Sequence, residues 1–386
     1  MLAPLDHIIL FTLLFVIFFF IPREKQSYID THFWKALLIP IIAYTLLVGF
    51  RYGWGVDYIR YAEDYESRQF DKGYDNGFSI IESVLYSLGL RKFWMADMVF
   101  SLFFIISFFL IIKNIKGSSK YMLMLFLPAT LMLNTYAIRQ YVAVSFILIG
   151  YYFVSRDYSK KIYRYLKYVF ASLLIYVAFT VHGASLVFSI PLFLAYFLRF
   201  LKPIKSTIAI AIYISVIIFS NFFIDTISNL FGRYIDAIFV TEHLGGYVEN
   251  YSNILANAQV EMLGHSGLFL YFEYLSRIIL IVLSGWALRY KPNNQVAMFY
   301  NMVIFGLCFQ QLLFTSEIGR RIIDTIFMLY CIPVGYALYQ LYQKYSTTQK
   351  DTNTFYKILS IILLLYIYYP FLKFILFFNL AGFIWN

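Results

Sequence analysis

Long apolar runs recur along this chain and limit its fold more than any other feature. Most are roughly 15 to 22 residues long, close to the length of a helix that crosses the hydrocarbon core of a bilayer. Lipid cannot satisfy backbone N–H and C=O groups, so such runs are expected to be helical. We predict an all-α polytopic membrane protein, a single integral membrane domain over residues 1–386. Its predicted spans number about 12 and lie at residues 7–21, 36–50, 96–112, 121–136, 141–154, 168–181, 183–198, 206–223, 267–288, 296–314, 322–340 and 358–380.

Composition excludes a water-soluble globule. The chain is 61% hydrophobic and 13% charged, with a mean hydropathy of +0.70. In a soluble protein, a net charge of +10 would suggest nucleic acid as a partner. In a membrane protein, the distribution of the basic residues between the two sides of the membrane is more informative. Cys308 and Cys331 lie within apolar runs, and neither they nor the five scattered histidines have the spacing of metal ligands. We expect no metal, no other cofactor and no nucleic acid.

The distribution of charge among the loops predicts the orientation. Alternate loops hold 19 of the 31 Lys and Arg residues but only 4 of the 21 acids. Positive residues stay on the cytoplasmic side, so this set faces the cytoplasm and both termini face outward. Two longer loops, about 51–95 and 224–266, then lie at the outer face. The cytoplasmic set is 22–35, 113–120, 155–167, 199–205, 289–295 and 341–357.

The stretch Arg51–Tyr61 concentrates chemistry where the second apolar run leaves the bilayer. Gly53 and Gly55 allow a tight turn, and Arg51 and Asp57 supply a cation and a carboxylate. The aromatic residues Trp54, Tyr58 and Tyr61 can stack on sugar faces, although tyrosine and tryptophan also anchor membrane interfaces. Asp57 is the strongest acidic candidate, whereas Glu63, Asp64, Glu66, Asp71 and Asp75 are expected to form a solvated face.

Two further candidate sites lie at outer-face ends of apolar runs. Arg139-Gln140 stands in a very short break between two runs, which holds the arginine near membrane depth. An ionisable residue there costs free energy and is usually functional. The alternative is an arginine that extends its side chain to the lipid headgroups. His182 stands at another such break and suits a general base or a phosphate contact, or a structural hydrogen bond.

Charged residues in the second half of the chain form two more clusters. Arg320 and Arg321 suit a pyrophosphate clamp, because each guanidinium binds phosphate oxygens bidentately. The alternative is an intrahelical ion pair with Glu317. Glu273 lies inside an apolar run with Arg277 four residues on, a spacing that predicts a salt bridge, although Glu261 and Glu273 are also candidate bases.

Several chemistries lack their motifs. The chain has no Asp-x-Asp motif, no P-loop and no Gly-x-Ser-x-Gly elbow. The candidate cations and bases come from distant parts of the sequence but share the predicted outer face. Such a set suits one task, in which arginines grip a pyrophosphate leaving group while a base deprotonates a sugar hydroxyl.

The motifs together resemble a known family. They are Arg51-x-Gly53-x-Gly55-x-Asp57-Tyr58-x-x-Tyr61, Arg139-Gln140-x-x-Ala143, His182-x-x-Ser185 and Arg320-Arg321, and they resemble the EpsG-like branch of the Wzy-type polysaccharide polymerases along most of the chain. The resemblance implies a GT-C-like membrane glycosyltransferase at the outer face of the bacterial cytoplasmic membrane. Its donor and acceptor would both be undecaprenyl-pyrophosphate-linked oligosaccharides.

The resemblance also implies roles for the matched residues. Arg51, Arg139 and Arg320 or Arg321 would hold pyrophosphate, and Asp57 or His182 would act as the base. A chain-length-regulator protein is a candidate partner. An O-antigen ligase is the nearest enzyme alternative, and a flippase or transporter of the same lipid-linked sugar is the alternative from another class. Transport predicts charged residues near the bilayer midplane and on both sides, whereas here they crowd one face.

Overall fold

A computed structural model describes residues 3–21, 25–51, 58–70, 76–115, 117–219, 268–312 and 323–346, and no β-strand occurs among them. The first described helices are α1 (Ala3–Phe20), α2 (Gln26–Thr31), α3 (Phe33–Ala36), α4 (Leu38–Gly49), α5 (Tyr58–Glu66), α6 (Asn76–Ser87), α7 (Phe93–Asn114) and α8 (Ser119–Tyr136). They are followed by α9 (Ile138–Ser155), α10 (Lys161–Val181), α11 (Ser185–Phe197), α12 (Ser206–Phe219), α13 (Leu268–Tyr290), α14 (Asn294–Leu312) and α15 (Ile323–Tyr345). The prediction of an all-helical protein is confirmed for this part of the chain.

The helices follow the apolar runs closely. They cover, wholly or in part, every predicted span except 358–380, which lies outside the described residues. Four of the described helices are long and apolar enough to cross a membrane: α7, α9, α10 and α15. Shorter apolar helices occupy Ile9–Phe20, Leu38–Gly49, Phe188–Phe197 and Ser206–Phe219. The predicted number of about 12 spans and the GT-C-like arrangement stay predictions.

α9 is the central helix of the N-terminal half, packing along both α7 and α10. α4 also packs on α7, and the short α6 packs on α10. α10 has most of its large apolar side chains exposed, including Leu173 and Tyr176, as expected for a helix at the lipid-facing edge of a bundle. The part of the chain called a long outer-face loop, 51–95, therefore contains two helices that return to the bundle.

Local chemistry explains the irregular helices. Pro128 lies inside α8 and Pro191 inside α11, where each removes a backbone hydrogen bond. α15 contains a 3-10 turn at Met328–Tyr330. Two glycines of the N-terminal half allow close helix approaches, and both lie beside the candidate site described below.

A buried ion pair connects α12 and α13. Arg277 is 3% exposed, pairs with Glu273 one turn earlier on α13, and donates from Nη1 to the Tyr213 hydroxyl of α12 at 3.0 Å. The predicted salt bridge with i,i+4 spacing is confirmed, and it makes both charges tolerable inside an apolar helix. The second predicted outer loop, 224–266, lies outside the described residues.

Candidate active site

The buried side chain of Arg51 ties four helices together. Its Nε donates to Asp97 Oδ2 at 2.8 Å and its Nη2 to Oδ1 at 3.1 Å, and both side chains are fully enclosed. The Tyr141 hydroxyl of α9 donates to the same Oδ1 at 2.5 Å. The rings of Tyr58 and Tyr141 lie 5.9 and 6.0 Å from the guanidinium carbon. The chain after α4 is therefore fixed against α5, α7 and α9.

A glycine lets the end of α4 come this close to α7. A Cβ atom on Gly49 would collide with the Met98 side chain and lie 3.1 Å from Met98 Cα. Met98 is the neighbour of Asp97 on α7. The absent side chain of Gly49 therefore sets the distance at which Arg51, two residues later, reaches its carboxylate.

Arg139 forms a second cationic position at the same end of the bundle. It lies in the first turn of α9, is half-buried, and donates from Nε to the Tyr61 hydroxyl at 2.7 Å. Its guanidinium carbon is 5.7 Å from the centre of the Tyr61 ring. Gln140, the next residue, is buried. An arginine at a helix N-terminus combines its charge with the helix dipole, and both favour an anionic ligand.

The tyrosines of α5 form its buried stripe. Tyr58, Tyr61 and Tyr65 recur at helical spacing and are at most 4% exposed. Of the acids predicted to form a solvated face, Glu63 and Glu66 are exposed, but Asp64 is half-buried. All three rings pack on Phe93 of α7. We expected Tyr58 and Tyr61 to stack on sugars, but both rings face the protein interior, because the stripe supplies the apolar surface that holds α5 to the bundle.

His182 is joined to this region through α6. It follows the last residue of α10, and its N–H donates to the carbonyl of Ala178 at 2.9 Å. A Cβ atom on Gly77, at the start of α6, would lie 2.6 Å from the carbonyl carbon of Thr180, so α6 rests directly on the backbone next to His182. The next residue on α6, Phe78, has its ring 5.7 Å from that of Tyr61. His182 and Arg139 therefore lie at the same end of the bundle.

Glu82 adds a buried carboxyl to the site. It lies on α6 one turn beyond Phe78 and is 1% exposed, and its Oε1 has no hydrogen-bond partner among the described residues. Burial raises the pKa of Glu82 to about 8; the charge of Arg139 opposes this rise and that of Asp64 adds to it. The pKa of Tyr65 is also raised, mainly by burial and next by the charge of Glu82. The site thus contains a carboxyl that is mostly protonated at neutral pH.

Three predicted site residues cannot be located. Asp57, Arg320 and Arg321 lie outside the described residues. The described structure brings together Arg51, Arg139, Gln140, Tyr58 and Tyr61 directly, and His182 through the contact between α6 and α10.

Three residues of the candidate site were not predicted from the sequence: Asp97, Tyr141 and Glu82. Asp97 carried a signal, because it is the one acid in the predicted span 96–112. Glu82 carried another, since it shares the apolar stripe of α6 with Phe78 and Leu85 at helical spacing. Tyr141 had no signal of its own in a chain with 36 tyrosines.

Comparison with known families gives one match. The model of the EpsG family matches residues 34–382, which includes all the site residues named above. No curated protein and no solved structure matches the chain significantly. The match covers most of the chain, and the helices it contains are apolar enough for a bilayer. This protein is therefore a membrane protein of the EpsG family, a membership that indicates a polysaccharide-polymerase type of function.

Proposed function

We propose that the protein is a glycosyltransferase of the Wzy type, which joins lipid-pyrophosphate-linked oligosaccharide units into a polysaccharide. Family membership over residues 34–382 supports the general activity. The observation that carries the specific proposal is the convergence of Arg51, Arg139 and a buried carboxyl at one end of α9. Cations beside a proton acceptor match a reaction that releases pyrophosphate and deprotonates a hydroxyl.

In this proposal Arg139 is the principal contact of the donor pyrophosphate. It is half-buried, within reach of a ligand, and the N-terminus of α9 adds backbone N–H groups that favour phosphate. A guanidinium binds phosphate oxygens bidentately and keeps its charge at any working pH. Arg320 and Arg321 are proposed to complete the grip on the pyrophosphate, and Gln140 to contact the sugar.

Arg51 has a different proposed contribution. Two of its nitrogens bind the Asp97 carboxylate, which neutralises its charge and fixes its position. Its Nη1 has no hydrogen-bond partner among the described residues and is therefore the nitrogen proposed to meet a phosphate oxygen. We assign Arg51 mainly to holding the ends of α4, α7 and α9 in register around Arg139.

The proposed reaction transfers the growing glycan to a new lipid-linked unit. The acceptor hydroxyl attacks the anomeric carbon of the donor, and the bond from that carbon to pyrophosphate breaks. Arginines stabilise the charge that develops on the leaving group, which is the task a metal ion performs in other glycosyltransferases. His182 and Asp57 are the bases that sequence patterns favour for the hydroxyl proton.

The proposed location is the outer face of the bacterial cytoplasmic membrane, with undecaprenyl pyrophosphate as the lipid. The loops that hold most Lys and Arg residues connect the opposite ends of the helices, such as the one between α9 and α10 with Arg156 and Lys160. A substrate that arrives already activated on a lipid fits a chain without nucleotide-binding motifs.

Mass analysis of lipid-linked saccharides in cells that lack the gene tests the function, with the bilayer side of each species determined. Single repeat units accumulating at the outer face are the expected result. Long lipid-linked chains accumulating there would mean a ligase, and single units trapped on the cytoplasmic side would mean a flippase. Either of these results overturns the proposal.

Complementation with Arg139→Ala tests the proposed phosphate contact. We expect single units to accumulate as in the deletion, with normal amounts of protein in the membrane. Arg164→Ala is the matched control, because it removes an exposed arginine from the opposite end of α10. Normal polymer from Arg139→Ala would remove this arginine from the mechanism.

A further inference from the structure

Glu82 is a buried carboxyl at a position of α6 where packing alone does not require an ionisable side chain. Phe78, Glu82 and Leu85 lie on one buried stripe of α6, and Phe78 contacts Tyr61, the residue that holds Arg139. An apolar residue would fill this stripe without the cost of burying an ionisable group. Glu82 instead keeps one carboxyl oxygen without a partner among the described residues. A buried unsatisfied polar atom at a site of this kind calls for an explanation by function.

Neutralisation of Arg139 is the main structural alternative. Two buried arginines of the described segments have carboxylates in direct contact, as Asp97 binds Arg51 and Glu273 binds Arg277. The Nε of Arg139 donates instead to the Tyr61 hydroxyl, so Glu82 does not bind this nitrogen. Glu82 is near enough for Arg139 to influence its ionisation, yet its Oε1 makes no hydrogen bond in the described part of the chain.

We propose that Glu82 is the general base that accepts the proton of the acceptor sugar hydroxyl. This inference rests on the proposed function and replaces Asp57 and His182 in that one role. It places the base on α6, whose packing against Thr180 and Tyr61 fixes its distance from Arg139. The base and the phosphate contact would then lie on different helices with the reacting carbon between them.

The step balances in atoms and charge. The Glu82 carboxylate takes the hydroxyl proton as the hydroxyl oxygen forms its bond to the anomeric carbon. The bond from that carbon to the pyrophosphate oxygen breaks, and its electron pair leaves with the lipid pyrophosphate. Glu82 then releases its proton to water, which restores the carboxylate for the next unit.

The surroundings of Glu82 suit a base at near-neutral pH. Titratable and charged groups that influence it come from two neighbouring helices: Arg139 from α9, and Asp64 and Tyr65 from α5. Burial, the largest influence, raises its pKa toward the working pH, where a general base is most effective.

Glu82→Gln is a sharp test because the carboxyl is mostly protonated at pH 7. Glutamine reproduces the size and neutral charge of the protonated form, so the fold should be retained. We expect the rate of polymer formation, measured in membranes with single lipid-linked units extracted from the deletion strain, to fall about 100-fold or more. Glu82→Asp, which keeps a carboxyl one methylene shorter, should lose less.

The dependence of the rate on pH separates a base from a structural residue. The unmodified protein should gain activity as pH rises toward about 8 and then level off. Asp64→Asn removes a negative charge that raises the pKa of Glu82, so its profile should shift to lower pH with the plateau retained. An unshifted profile in Asp64→Asn would overturn the assignment.

Failure of this inference is distinct from failure of the proposed function. If the deletion does not accumulate single units at the outer face, the proposed function is wrong. If the deletion does accumulate them but Glu82→Gln makes polymer at the normal rate, only the role of Glu82 is wrong. Should Glu82→Gln be absent from the membrane, Glu82→Asp is the deciding variant: a rate and pH profile equal to those of the unmodified protein would overturn the role.

Discussion

The Arg51–Asp97 pair should behave as one unit in stability measurements. Its two hydrogen bonds, at 2.8 and 3.1 Å, join side chains that are both fully enclosed, so solvent does not screen the interaction. Removing one partner of such a pair leaves an uncompensated buried charge, which costs about 3–5 kcal/mol. Arg51→Met and Asp97→Asn are therefore each expected to destabilise the protein by about that amount.

The double variant should cost far less than the sum of the single variants, because neither charge then remains. Replacement of both partners of a buried pair by neutral residues is often close to neutral. Asparagine also keeps an oxygen that can accept the hydrogen bond of the Tyr141 hydroxyl. The coupling free energy between the two substitutions should therefore be about 2–3 kcal/mol or more.

Denaturant unfolding of the purified protein in detergent micelles measures this coupling, with all four proteins compared at one pH. The exposed pair of Lys92 and Glu66 is a matched control, since its nitrogen and oxygen are 2.7 Å apart, close to the 2.8 Å of the buried pair, but both side chains face solvent. The cycle of Lys92→Met and Glu66→Gln should show much smaller coupling. Equal coupling in the two cycles would refute the conclusion that Arg51 anchors the site through a buried charge pair.

Two further substitutions test the way the site is held. Gly77→Ala should destabilise the protein and lower polymer formation, because its Cβ would lie 2.6 Å from the backbone of α10. Gly150→Ala is the control and should be tolerated, since the nearest atom to its Cβ would be 3.5 Å away. Thermal unfolding of the two variants measures the difference in stability. Tyr61→Phe should slow the consumption of lipid-linked units about 10-fold or more, because it removes the 2.7 Å hydrogen bond that orients Arg139. Tyr86→Phe is the control: it loses an exposed hydrogen bond donated by Arg68, and it should consume lipid-linked units at the normal rate. Equal rates for the two variants would contradict the role of Tyr61 in orienting Arg139.

The membrane helices and the charged clusters could be predicted because their signals are local. Runs of apolar residues predict helices, and the four-residue spacing of Glu273 and Arg277 predicts their ion pair. The position of Arg139 at a break between two runs likewise singled out a side chain that donates to the Tyr61 hydroxyl, while its role in the reaction stays a prediction. Each of these inferences needed only residues that are close in sequence.

The partners within the site could not be predicted because they depend on packing between distant segments. Asp97 is 46 residues from Arg51, and its pairing follows from the approach of α4 to α7 at Gly49. The stacking role expected for Tyr58 and Tyr61 rested on aromatic content alone. Whether an aromatic ring faces a ligand or a neighbouring helix is decided by the stripe on which it lies, and in α5 that stripe is also the packing surface.

The two arginines of the N-terminal half now have different explanations, although sequence alone treats them alike. Arg51 is fully enclosed, and its Nε and Nη2 both donate to the Asp97 carboxylate. This arrangement positions the helices and uses two of the three guanidinium nitrogens. Arg139 is half-buried, lies at a helix N-terminus, and donates a hydrogen bond to the Tyr61 hydroxyl, which orients it. An anionic substrate can approach a half-buried cation more readily than a fully enclosed one. The geometry therefore favours Arg139 as the contact to the leaving group and Arg51 as the residue that keeps it in place.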